Sequence, residues 1–207
     1  MKQMNILAVG AHPDDIEFGC GGTLTKYADR GHNVYLLVMT KGQHGGAAEV
    51  RTEEQAASLS ILGARDIYWG DLIDTHLAVD KNTIDKIESV IACVHPDLIF
   101  CHFTDDTHQD HRHLAQMTVS ATRYIRNVLF YEGPTTQNFN PYVFVDICDT
   151  LERKIAALEA HRSQVMKTNI EGVSILDIAR SSASFRGIQG RVQFAEAFFA
   201  LRLFINV

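Results

Sequence analysis

The sequence predicts an α/β fold: a Rossmann-like, mostly parallel sheet of strand order 3-2-1-4 with additional strands, flanked by helices in a single domain over residues 1–207. Length points that way, because 207 residues suit one hydrophobic core better than two. Composition agrees: 46% hydrophobic and 21% charged residues with only four prolines describe a chain that buries a core rather than a disordered or fibrous one. The third observation is the alternation of short apolar runs with longer helix-patterned segments through the first 150 residues, the signature of βαβ units.

Strands are expected at Asn5 to Gly10, Asn33 to Thr40, Asp66 to Gly70, Asp97 to His102, Asn127 to Tyr131 and Tyr142 to Ile147. The first helix, Gly21 to Arg30, is closed by Gly31 and the second, Glu49 to Leu62, by Gly63, a residue type that accepts the left-handed backbone at a helix end. A third helix runs from Thr83 to Val94 and stops before Pro96, and a fourth runs from His111 to Ile125. The fifth opens on the cap candidates Asp149 and Thr150 and carries Leu151, Ile155, Leu158 and Val165 at helical spacing. Ala195 to Val207 is too uniformly apolar to assign to helix or strand and reads as a buried closing element.

A net charge of −6 argues against a nucleic-acid partner, whose binding surface would be basic. No run approaches the roughly 18 continuous apolar residues of a membrane span, so no membrane partner is expected. The opening apolar stretch is short and runs into His12 and Asp14, without the features of a signal peptide. Cys20, Cys93, Cys101 and Cys148 are widely spaced and read as reduced, mostly buried thiols, so a cytoplasmic protein is expected.

Histidine is the unusual component: four of the ten, His102, His108, His111 and His113, fall within twelve residues. A second polar cluster follows the first strand, as Gly10, Ala11, His12, Pro13, Asp14 and Asp15. In a dinucleotide-binding turn, positions 10, 12 and 15 would be the glycines that bring backbone amides to a pyrophosphate, but only Gly10 is present. An anion would be repelled by Asp14 and Asp15, whereas a cation would be held. Taken alone, His12 and Asp14 fit a turn and helix cap equally well. The fold decides between these readings, because loops after strands one and four meet at the topological switch point of a 3-2-1-4 sheet. Two histidines and a carboxylate make a catalytic zinc set with one open position, though iron, cobalt and manganese suit the same donors.

With AHPDD at Ala11 to Asp15 and HxDH at His108 to His111, the chain resembles the PIG-L or LmbE-like zinc deacetylases, which act on N-acetylglucosamine-containing substrates. Weaker echoes are Arg51 with Glu54, AHRSQ at Ala160 to Gln164, and RG then FAEAF at Arg186 to Phe198. The resemblance implies one zinc per chain held by His12, Asp15 and His111, with Asp14 as general base. It further implies that His108 stabilises the oxyanion or protonates the leaving amine, that Asp110 orients His108, and that the chain is a homo-oligomer, trimer or hexamer, as relatives often are. Independently, amide hydrolysis needs a nucleophilic water, which zinc supplies by lowering its pKa to about 7, and a carboxylate beside the metal can accept its proton. His108 and His111, three apart, share a helix face.

Arg51 is a candidate for clasping a substrate hydroxyl or carboxylate, or else part of a solvated face with Glu54. His113 reads as pointing away from His111, His102 as a packed strand terminus, and Asp105 and Asp106 as turn formers, Asp106 standing two residues before His108 as in relatives. Gln43 and Phe194 depart from the Glu and Tyr common in the family. Two other functions compete: a metal-dependent phosphoesterase with a second metal on Asp105, Asp106 or His113, and a non-catalytic sugar- or nucleotide-binding module.

Overall fold

The computed structural model describes residues 3–205. Seven strands, β1 (Asn5–Gly10), β2 (Asn33–Thr40), β3 (Asp66–Leu72), β4 (Leu98–His102), β5 (Val128–Tyr131), β6 (Val143–Asp146) and β7 (Ala195–Arg202), form one sheet of order β3-β2-β1-β4-β5-β7-β6. Pairings from β3 to β5 are all parallel, and β7 runs antiparallel to both neighbours. The expected 3-2-1-4 order is therefore present, and β1 and β4 lie side by side at the switch point.

Six helices complete the domain: α1 (Asp15–Asp29), α2 (Ala48–Leu62), α3 (Lys81–Val94), α4 (Gln109–Ala121), α5 (Leu151–Ala160) and α6 (Ile175–Gly190). Continuous apolar runs form the central strands because parallel strands are covered on both faces. Ile6, Ala8, Leu36 and Phe100 pack on one side, and Leu7, Val9, Leu37 and Ile99 on the other. The Asp80 carboxylate caps α3 by accepting the Thr83 N–H at 2.8 Å, and Gly63 ends α2 with φ 71°.

The first helix starts at Asp15 rather than Gly21, with a kink at Cys20 (φ −147°, ψ 15°). The expected start at Gly21 corresponds to the segment beyond that kink. Glu196 of β7 caps this segment by accepting the Gly22 and Thr23 N–H groups at 2.9 and 2.7 Å. Such a cap, 173 and 174 residues away in sequence, has no local signature. Ala195–Arg202 of the unassigned C-terminal stretch is a strand inserted between β5 and β6; Asn206 and Val207 lie outside the described residues. Helix α5 ends before Val165, and α6 was not expected, although Ser174 and Asp177 form a reciprocal capping box at its start. Cys20 and Cys101 are buried, but Cys93 and Cys148 are exposed, correcting the expectation of mostly buried thiols. Among the described residues no helix is long and apolar enough to cross a membrane.

Candidate metal centre

Loops leaving the carboxyl ends of β1 and β4 bring together residues almost a hundred positions apart. The His12 ring centre is 4.8 Å from that of His108 and 5.5 Å from that of His111. Asp15, at the start of α1, lies between His12 and His111, its Oδ2 3.3 Å from His12 Nδ1 and its Oδ1 3.4 Å from His111 Nε2. Oδ2 also accepts the His12 N–H at 2.7 Å, which fixes the carboxylate's direction.

A carboxylate also faces the far nitrogen of each ring. His12 Nε2 is 2.9 Å from Asp74 Oδ1 and 3.2 Å from Asp110 Oδ2, while His111 Nδ1 is 3.3 Å from Asp106 Oδ2. A neutral imidazole has one N–H; directed to the rear carboxylate, it leaves a front lone pair facing an oxygen of Asp15. Lone pairs converging on an anion require positive charge among them, from added protons or a cation. Consistently, burial would lower both imidazoles, but the surrounding carboxylates overcome it, raising His12 well above its ordinary value and His111 to about 9. Asp15 is held well below the usual carboxylate range, its burial outweighed by His111 and His102. Three sets of side chains place one donor atom each within 4.8 Å of the others: His12, His108 and His111; Asp15, His102 and His111; and His12, Asp74 and Asp110. The donor types and convergence fit a divalent ion.

Asp14 has φ 89°, a backbone conformation costly for any residue but glycine, and its side chain does not cap the helix it precedes. It lies 3.4 Å from Arg51 Nη2 instead. Burial, followed by repulsion from Asp15, pushes its carboxyl up to about 6 against the pull of Arg51.

His108 caps α4, its Nδ1 accepting the Asp110 N–H at 3.2 Å, so the neutral ring carries its proton on Nε2. Burial and then the cationic tendency of His111 and His12 lower its pKa. The expected orientation of His108 by the Asp110 side chain is corrected. That carboxylate turns to His12 and accepts the Thr75 and Leu77 N–H groups at 2.7 and 3.3 Å, leaving only the Asp110 backbone to steer His108.

Residues 7–122, more than half of the chain, match the family described as PIG-L: GlcNAc-PI de-N-acetylase. The chain belongs to the PIG-L family. It is 36% identical over 171 residues to YaiS, an uncharacterized deacetylase of Escherichia coli, covering 78% of this chain and 92% of that protein. With the diacetylchitobiose deacetylase of Thermococcus kodakarensis it shares 29% identity over 185 residues, covering 77% and 69% of the two chains. The N,N'-diacetylchitobiose deacetylase of Pyrococcus horikoshii, in complex with an inhibitor, superposes with TM-score 0.83 at 26% identity over 95% of this chain and 83% of that one.

Several residues of this PIG-L protein sit differently from expectation. Arg51 is buried rather than solvated, and makes no pair with Glu54. Its Nη2 donates to Pro13 O at 2.6 Å and Nη1 to Gly42 O at 3.0 Å, where a Cβ on Gly42 would collide with the guanidinium. Three of its five N–H groups are directed to Gly42 O, Pro13 O and Asp14 Oδ2, and the buried Nε has no partner among the described residues. Glu54 accepts instead from the Ser163 N–H and hydroxyl, both at 2.7 Å.

Asp74 went unrecognised because it comes from the loop after β3, with no spacing that ties it to either motif. Asp106 is more than a turn former: it is buried against His111 and two threonines. His102 is packed as expected, stacked on His111 at 4.0 Å and accepting the Ala11 N–H at 3.2 Å, with burial then His111 lowering it to about 4. His113 faces the Leu77 carbonyl at 2.6 Å, away from the cluster. No set of clustered donors among the described residues includes Asp105, Asp106 or His113, the residues expected to hold the second metal of a phosphoesterase.

Proposed function

We propose that this PIG-L protein is a zinc-dependent hydrolase that removes the N-acetyl group from an N-acetylglucosamine-type sugar or glycoconjugate. His12, Asp15 and His111 would hold one ion per chain. When bound, such an ion would supply Lewis acidity and lower the pKa of water to about 7, making a nucleophile available at neutral pH.

Asp14 is the base that accepts the proton of the attacking water. The observation that most supports this role is the strained Asp14 backbone, which aims a carboxyl of pKa about 6 away from its own helix end. At neutral pH such a group is ionised, yet basic enough to accept a proton and pass it to the departing amine. His108 presents Nε2–H to the carbonyl oxygen as charge collects there. Asp110 and Asp74 hold the His12 ring from behind, and Arg51 fixes the Pro13 and Asp14 turn. Deacetylases of diacetylchitobiose among the relatives support the substrate class.

The test combines elemental analysis of purified protein with acetate release from a panel of N-acetyl sugars and glycosides. One equivalent of zinc and turnover of at least one member are expected. His12→Ala and His111→Ala are expected to lose the metal; unchanged zinc stoichiometry in both would overturn the ligand set.

A further inference from the structure

Behind the proposed ligand His111 lies a buried carboxylate that the reaction itself does not use. Asp106 sits at the end of the loop between β4 and α4, and its side chain is enclosed by a segment of the β5–β6 connection. Oδ1 accepts the Thr135 hydroxyl at 2.7 Å and the His108 N–H at 2.8 Å. Oδ2 accepts the Thr136 hydroxyl at 2.8 Å and lies 3.3 Å from His111 Nδ1. Backbone contacts hold the two segments together: Asp106 and Thr136 form an isolated β-bridge, and the Thr107 N–H donates to Thr135 O at 3.1 Å. His111 Nδ1 is buried without a hydrogen-bond partner among the described residues, and Asp106 Oδ2 faces it at 3.3 Å.

We propose that Asp106, clamped by Thr135 and Thr136, is a positioning residue that fixes His111 as the tautomer protonated on Nδ1 and so reserves the Nε2 lone pair for the metal. A carboxylate behind one ring nitrogen favours the proton there and makes the other nitrogen a better donor to a cation. By accepting the His108 N–H as well, Asp106 sets the start of α4 and thus the relative placement of His108 and His111. Its two oxygens therefore serve two different histidines, and the threonines keep the carboxylate from rotating between them.

This inference rests on the ligand set proposed above, so its test separates the two. Zinc affinity of chelator-stripped protein is measured by competition with a chromophoric chelator for wild type, Asp106→Asn, Thr135→Val/Thr136→Val and His111→Ala, alongside thermal melting of each metal-free protein. Asp106→Asn is expected to bind zinc about 10–100-fold more weakly, because the amide can present N–H to Nδ1 and turn the imidazole proton to Nε2. The double valine variant keeps the carboxylate but frees it, and should weaken zinc in the same direction by less, with Tm of the metal-free protein changing independently. Wild-type zinc affinity in a folded Asp106→Asn protein, or in the double valine variant should Asp106→Asn not fold, overturns the positioning role. Wild-type affinity in His111→Ala overturns the ligand assignment instead.

Discussion

At the scale of single residues, Asp14 combines a strained backbone with a raised carboxyl pKa, and the two can be separated by substitution. Removing the carboxylate in Asp14→Asn should lower kcat by about 10²–10⁴-fold, the usual contribution of a general base, while zinc stoichiometry stays unchanged. Asp14→Gly should lose the same activity but unfold at higher temperature than Asp14→Ala, since glycine alone accepts φ 89° without the roughly 1 kcal/mol or more of strain. Kinetics on metal-loaded protein and thermal melts check both outcomes; equal melting temperatures for the glycine and alanine variants would remove strain from the account. His12, Asp14, Asp15, His108 and His111 were legible in the sequence because each belongs to a short motif of fixed spacing. Asp74 was not, since only the folding of β3 against β2 brings it to His12. The Asp110 carboxylate was misdirected because its neighbour in sequence, His108, is less available to it than His12 and two main-chain amides from the β3–α3 loop.

Among the elements, strands of the parallel core could be read closely because buried parallel strands are apolar throughout and end abruptly at turn residues. Helix α1 shows where such reading fails: its two segments are joined at Cys20, and the second takes its cap from a strand near the other end of the chain. Glu196, in that strand, also accepts the Lys154 ammonium of α5 at 2.6 Å, and both side chains are buried. Truncating Glu196 to Ala leaves the buried Lys154 ammonium without its counter-charge, held only by the Phe18 carbonyl, and two amides uncapped, with an expected loss of about 3–5 kcal/mol of stability in urea unfolding. Replacing both partners with apolar residues of similar volume should cost less than the single change. A cost below about 1 kcal/mol for Glu196→Ala would mean that the pair contributes little beyond its packing.

For the whole molecule, pH and metal binding are the two conditions expected to shift the stability of the fold. His161 is buried 3.5 Å from Glu17, whose carboxylate raises the imidazole pKa despite the opposing effect of burial. A group raised on folding stabilises the native state fully below its ordinary value of 6.5, and that contribution is lost as pH rises through the raised value. The deficit of a His161→Gln variant relative to wild type should therefore shrink as pH rises above 6.5, as followed by urea unfolding at a series of pH values. A deficit independent of pH would assign His161 to packing alone. Metal removal acts on the same balance. Asp15, Asp74, Asp106 and Asp110 converge on two imidazoles, so stripping the ion should lower Tm, and zinc at about 1,000 times its Kd should restore about 4 kcal/mol. A Tm unmoved by chelation and readdition would contradict a bound ion in the native fold.

The insertion of β7 between β5 and β6 also constrains how the protein can be made. During synthesis β5 and β6 leave the ribosome before β7, the strand that separates and pairs with both, so β5 presents an open edge and β6 has no hydrogen-bonding partner. Until Glu196 emerges, the second segment of α1 lacks its cap and Lys154 its counter-charge. The nascent chain therefore carries both proposed ligand motifs long before it can finish the frame beneath them, and a product stopped short of Ala195 retains the proposed metal ligands with an exposed strand edge, a form suited to aggregation rather than catalysis.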